Sequence, residues 1–117
     1  MPLPLNAEIL ARAYDYLCSC PPFNKWNLPP SEDVSFKVVR DRNTAGWHKM
    51  VADKHIIGIS SGAIGRTQSL IEVMAHEMIH AHQRETSMET KGANHNAAFI
   101  KLAARVSNIH GFDPKLF

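Results

Sequence analysis

Apolar positions recur with two different periods along the chain. Between Asn6 and Cys18, the residues Ile9, Leu10, Ala13, Tyr14 and Leu17 fall three and four apart, which predicts an amphipathic helix. Asn6 stands where an N-cap belongs, with Leu5 before it and Leu10 after it placed as a hydrophobic staple. From Val34 the period drops to two. Val34, Phe36 and Val38 alternate with Ser35, Lys37 and Val39, the pattern of a strand. "TAGWHKMVAD" and "KHIIGIS" read as a second and a third strand, the first two joined through the polar turn "DRN" and the last two through Asp53 and Lys54. Links this short leave no room for helical crossovers, so a three-stranded antiparallel meander is expected.

The helical period returns after the glycine-containing loop "SSGAIGRTQS". A long helix is predicted from Thr67 or Ser69 to about Glu85, with Ser69 and Glu72 spaced as a capping box. The polar connector "TSMETKGAN" leads to a last helix, capped by Asn94, running to about Ile109 and stopped by Gly111. Between the first helix and the first strand, "CPPFNKWNLPPSED" carries two Pro-Pro pairs, which exclude regular helix. Phe23, Trp26 and Leu28 are expected to pin this irregular wrap to the body. The fold class is therefore α+β, in the order α, three β, α, α.

Composition narrows the picture only a little. A length of 117 residues suits one domain, taken as 1–117. A formal charge of +2 gives weak support for attraction to phosphate. No stretch has the apolar length needed to span a bilayer, so no membrane partner is expected. The N-terminus lacks the basic region of a secretory signal, and a cytoplasmic location is expected. Cys18 and Cys20 are one residue apart. That spacing would strain a disulfide and is short for a zinc knuckle, so both read as free thiols closing the first helix.

The chemistry concentrates in "MAHEMIH", residues 74 to 80. At 3.6 residues per turn His76 and His80 lie about 40° apart on the helix, on a face separate from Leu70, Ile71, Met74, Ala75, Met78 and Ile79. Two imidazoles one turn apart can reach one ion, and Glu77 projects beside them where a base can act on a metal-activated water. This is the logic of H-E-x-x-H. A catalytic zinc normally has three protein ligands, and His95, brought back by an antiparallel last helix, is the candidate third. Phe99, Leu102, Ala103 and Val106 supply the stripe that would hold that helix in place. Glu72 and Glu85 are rivals for the third position, but Glu72 has a use as a cap and Glu85 points towards the apolar arc. His82 falls near that arc and reads as a partly buried or bridging residue. His48 and His55 on predicted strands, and His110 at a helix end, read as structural or solvated.

With these residues in place, "LIEVMAHEMIHAHQRE" followed by "GANHNAAFIKLAARV" resembles the SprT-like zinc metalloprotease family, to which the DNA–protein crosslink protease Spartan belongs. The matching positions are His76, Glu77, His80, Ala81, His95 and Phe99, with "AGW" at 45 to 47 and "IIGISS" where the family has a short sheet. The resemblance covers roughly residues 5 to 112. It implies a small zincin-like domain, Zn2+ held by His76, His80 and His95, and Glu77 as the catalytic general base. It also implies a metalloendopeptidase acting on protein or peptide substrates, DNA-associated proteins among them. Asn96 stands where relatives often carry glycine. No zinc ribbon is apparent, so a minimal domain is expected and DNA dependence stays open.

Two further expectations concern partners. A substrate peptide would lie extended against the strand around Ile57 to Ser60, held by main-chain bonds. Tyr14 and Tyr16 are the only tyrosines, and neither falls near the site as an oxyanion donor. The rival class is a zinc-braced module that binds DNA or protein without catalysis. Arg40, Arg42, Lys49 and Lys54 would gather on the sheet for phosphates, and Trp47 would stack on an unpaired base. A solvated charged face is the plainer reading of those residues.

Overall fold

The computed structural model describes residues 5–40, 43–62, 67–86 and 95–112. They form α1 (Ala7–Cys18), β1 (Ser35–Val39), β2 (Gly46–Val51), β3 (Lys54–Ser60), α2 (Thr67–Glu85) and α3 (Ala97–His110), with two short 3-10 turns, Phe23–Lys25 and Ser31–Asp33, between α1 and β1. The order of elements and the α+β class follow the hydrophobic pattern. Asn6 caps α1 by accepting a hydrogen bond from the Ile9 amide. The proline-rich wrap is tied down by buried Phe23, by half-buried Trp26 and Leu28, and by the Tyr14 hydroxyl, which donates to the Pro29 carbonyl at 2.6 Å. Burial holds the Tyr14 phenol far above its ordinary range, so it stays a donor.

The sheet is mixed, not an antiparallel meander. Its strand order is β1-β3-β2, with β2 antiparallel and β1 parallel to the central β3. The β2–β3 hairpin closes tightly through Ala52 and Asp53, both at positive φ (52° and 63°), as a two-residue primed turn requires. The expectation failed at the link from β1 to β2. β1 and β2 lie on opposite sides of β3, so β2 itself serves as the crossover between the parallel pair. The end of the sheet is stitched by the Ser61 amide on the Val39 carbonyl and the Ser60 amide on the Ala45 carbonyl. Asp41 and Arg42 of the predicted turn lie outside the described residues, as do residues 63–66 of the predicted glycine loop and 87–94 of the connector.

One face of the sheet is covered by helices. α1 packs on β1, α2 on β2 and β3, and α3 on α2. Ile57 and Ile59 of β3 are fully buried against Leu10, Leu17, Met74, Met78 and Ile79, each such side chain contributing about 1.5–3 kcal/mol. Phe36 meets the Tyr14 ring edge-on at 5.5 Å. Val38, in the same alternation as buried Val34, is 36% exposed.

Helix boundaries correct two caps. α2 begins at Thr67, so Ser69 lies inside its first turn and does not serve as the N-cap. α3 is capped by Asn96, whose side chain accepts from the Phe99 amide, and ends at Gly111 with φ 75°. The predicted cap, Asn94, lies outside the described residues. Both asparagines flank His95, and the spacing to the first buried ring, Phe99, selects the second. Among the described residues, no helix is long and apolar enough to cross a membrane.

Candidate metal centre

α2 presents His76 and His80 one turn apart, while Met74, Ala75, Met78 and Ile79 of the same helix are buried in the core. The turn into α3 brings His95 back across them, immediately ahead of the Asn96 cap and not within the helix. One ring nitrogen from each histidine lies within 4.8 Å of the others. His76 Nε2 and His95 Nε2 are 3.2 Å apart. Two nitrogens bound to one tetrahedral ion at about 2.0–2.1 Å would be about 3.3 Å apart, so this pair already has the spacing of co-ligands. His76 and His80 are half-buried and His95 is exposed, which opens the cluster on one side. Among the described residues no fourth histidine, cysteine or carboxylate joins the three.

Phe99 forms the floor. It is 3% exposed, with its ring centroid 4.9 Å from His76, 4.6 Å from His80 and 4.4 Å from His95. Burial, followed by the nearby His95, pushes the His80 imidazole down to about 4, so the ring is neutral at pH 7 and its nitrogen free to donate to a metal. Three imidazoles with one open side suit a divalent transition-metal ion.

Glu77 is 4% exposed, and burial alone raises its carboxyl to about 8. Its pocket depends on Gly46 at the start of β2. A Cβ there would stand 2.7 Å from Val73 Cγ1 and 3.2 Å from Glu77 Oε2. Glycine thus lets β2 press directly on the face of α2 that carries the carboxylate. The next residue, Trp47, lies on the opposite face of the sheet over Gly58, where a Cβ would meet its ring at 2.2 Å. The sequence "AGW" is therefore a packing unit: one residue towards the site, one towards solvent.

The rival ligands stand elsewhere. Glu85 accepts a hydrogen bond from His55 Nε2 at 2.5 Å. On its other side, His55 Nδ1 shares a hydrogen bond with His48 Nε2 at 2.7 Å. His55 is 2% exposed, so this chain from β2 through β3 to the end of α2 is buried at its middle and reaches solvent at Glu85. Burial first, then the repulsion that His55, His80 and Arg84 would exert on a protonated ring, pushes His48 down to about 3. Sequence reasoning treated His48 and His55 singly and missed the chain. The signal was available: a two-residue hairpin sets the register that puts both rings on the helix-covered face. His82 stacks on Trp26 at 4.1 Å with its Nδ1 buried and unpartnered, and burial lowers its pKa. His110 Nε2 donates to the Pro21 carbonyl at 2.7 Å, tethering α3 to the wrap. Tyr14 is in the core and Tyr16 is 54% exposed on α1.

A helix bearing H-E-x-x-H, a third histidine in the turn ahead of the next helix, and a short sheet beside them form the plan of a family associated with metalloprotease-like domains. The chain belongs to the SprT-like family, whose model matches residues 21–116. No curated protein and no solved structure matches it.

Proposed function

We propose that the protein is a zinc-dependent metallopeptidase. One observation carries this reading: three histidines converge with one side open and no fourth protein ligand among the described residues, beside a buried carboxyl. Structural zinc sites are closed by four protein ligands, whereas catalytic ones keep a position for water or substrate. His76, His80 and His95 would hold the ion. When bound, it supplies Lewis acidity towards a carbonyl and acidifies water.

The remaining steps fall to the chain's own residues. Glu77 takes a proton from the attacking water on a carboxylate oxygen and delivers it to the leaving amine nitrogen. Burial raises this carboxyl to about 8 in the metal-free chain, and a cation bound beside it would favour the carboxylate, the form that accepts a proton. Phe99 excludes water from behind the imidazoles. The substrate strand cannot add to β3 at Ile57 to Ser60, because β3 is the central strand and pairs on both sides. The edge beside α2 belongs to β2, which pairs only with β3 among the described residues. An extended peptide would add there by main-chain bonds.

A zinc-loaded wild-type chain and Glu77→Gln, offered a panel of unfolded proteins with and without single-stranded DNA, test this. Cleavage by the wild type alone, with equal zinc in both, is expected. Cleavage retained in Glu77→Gln would contradict the mechanism.

The alternative, a zinc-braced DNA- or protein-binding module, draws support from the outer face of the sheet. Lys37 and Trp47 flank Gly58 in one row, with Lys49 and Lys54 on the same face. Arg40 does not join them. It follows Val39, which pairs with Ser60, about 20 Å along the sheet from Lys54. Arg42 lies outside the described residues. Trp47 is also no bare platform, since Gly58 lies beneath it and Lys49 Nζ sits 5.0 Å from its ring centroid. Binding to single-stranded DNA that weakens in Lys37→Ala and Lys49→Ala would support this surface. No binding at low salt would remove the DNA version.

A further inference from the structure

Gln83 is 1% exposed, an unusual place for an amide, and no step described above uses it. It lies seven residues after His76, which returns it to the same stripe of α2 as His76 and His80, about 4.5 Å beyond His80 along the axis. Its Nε2 donates to Asn96 Oδ1 at 3.0 Å. The same oxygen accepts the Phe99 amide at 2.9 Å, so one atom both caps α3 and receives a bond from α2. Asn96 directly follows His95.

We infer that the Gln83–Asn96 hydrogen bond is a clamp that positions His95 for metal binding. The inference rests on the metal centre proposed above. The covalent path from His80 to His95 runs through the connector, whereas the clamp joins the two ligand-bearing elements one turn from the cluster. Asn96 Oδ1 fixes where α3 starts, and Gln83 fixes that start against α2. The backbone of His95 is thereby held at one distance and rotation from His76. Buried partners that orient metal ligands typically change affinity by about tenfold to a hundredfold when removed.

Zinc affinity, read by competition with a chromophoric chelator, tests the clamp. Gln83→Met keeps the length of the side chain and removes the donor. Asn96→Ser keeps a good helix cap but is too short to reach Gln83. Asn96→Asp keeps both acceptor functions. The expected result is zinc binding about tenfold weaker or more in Gln83→Met and in Asn96→Ser. The double variant should be no worse than the weaker single, and Asn96→Asp should bind as tightly as the wild type. Helix content of the metal-free variants, by far-ultraviolet circular dichroism, should match the wild type. A purely structural bond would lower the unfolding midpoint and leave zinc affinity unchanged in both single variants, which would overturn the clamp. Additive losses in the double variant would also overturn it. A wild-type chain that takes up no zinc would overturn the metal reading itself and the clamp with it. Zinc bound by the wild type and equally by the variants refutes the clamp alone.

Discussion

At the scale of single residues, the site concentrates groups held away from their ordinary charge states. In the metal-free chain the Glu77 carboxyl sits at about 8 because of burial, against 4.5 for a carboxyl in water. The folded form therefore keeps a proton that the unfolded form has already lost, and stability falls as pH rises from about 4.5 to 8. His48, at about 3, and His80, at about 4, work in the opposite sense, as does His82. The unfolded chain takes up protons on these rings below about 6.5, so stability falls as pH drops through that range. Urea unfolding of metal-free protein across pH should show a maximum near pH 6 to 7. On the alkaline side, between pH 6.5 and 8, the Glu77 proton removes about 2 kcal/mol, partly offset by the tail of the histidine titration. Glu77→Gln should flatten that side and leave the acid side intact. A wild-type profile flat above pH 6.5 would show that Glu77 is ionised in the fold.

At the scale of elements, the site is a meeting of α2, the turn into α3 and the edge strand β2. Gly46 is the contact through which β2 acts. Gly46→Ala should cost about 1–3 kcal/mol in urea unfolding, as overpacking does, because the new methyl meets Val73 and the Glu77 carboxyl at once. A neutral result would mean that β2 is free to move off α2. The helices were legible in the hydrophobic pattern almost residue by residue, because an amphipathic stripe and its caps are local. The three strands were equally legible. Their pairing was not, since a turn fixes only the hairpin it closes, and nothing local to β1 says whether its neighbour is β2 or β3. That error propagated to the substrate: a strand that is terminal in a meander is central here. Asn96 shows the same limit at a smaller scale. The sequence offered Asn94 as the cap, and both the cap at Asn96 and its bond to Gln83 depend on where α3 starts and how it packs across α2.

For the molecule as a whole, the helices cover one sheet face and the basic residues with Trp47 lie on the other, so the candidate metal centre and the candidate phosphate-binding face are separate. The three-histidine set was readable because its two halves obey local rules, i to i+4 on one helix and a residue just ahead of the next. The structure adds what spacing could not: the open side at His95, the Phe99 floor and the depth of Glu77. The central claim is that these three rings hold one ion. Elemental analysis of purified protein, beside a His95→Ala variant, tests it most directly. The account predicts about one zinc per chain in the wild type, as three ligands at one site require, and loss or marked weakening in the variant. Zinc unaffected by the variant, or none in the wild type after reconstitution, would contradict it.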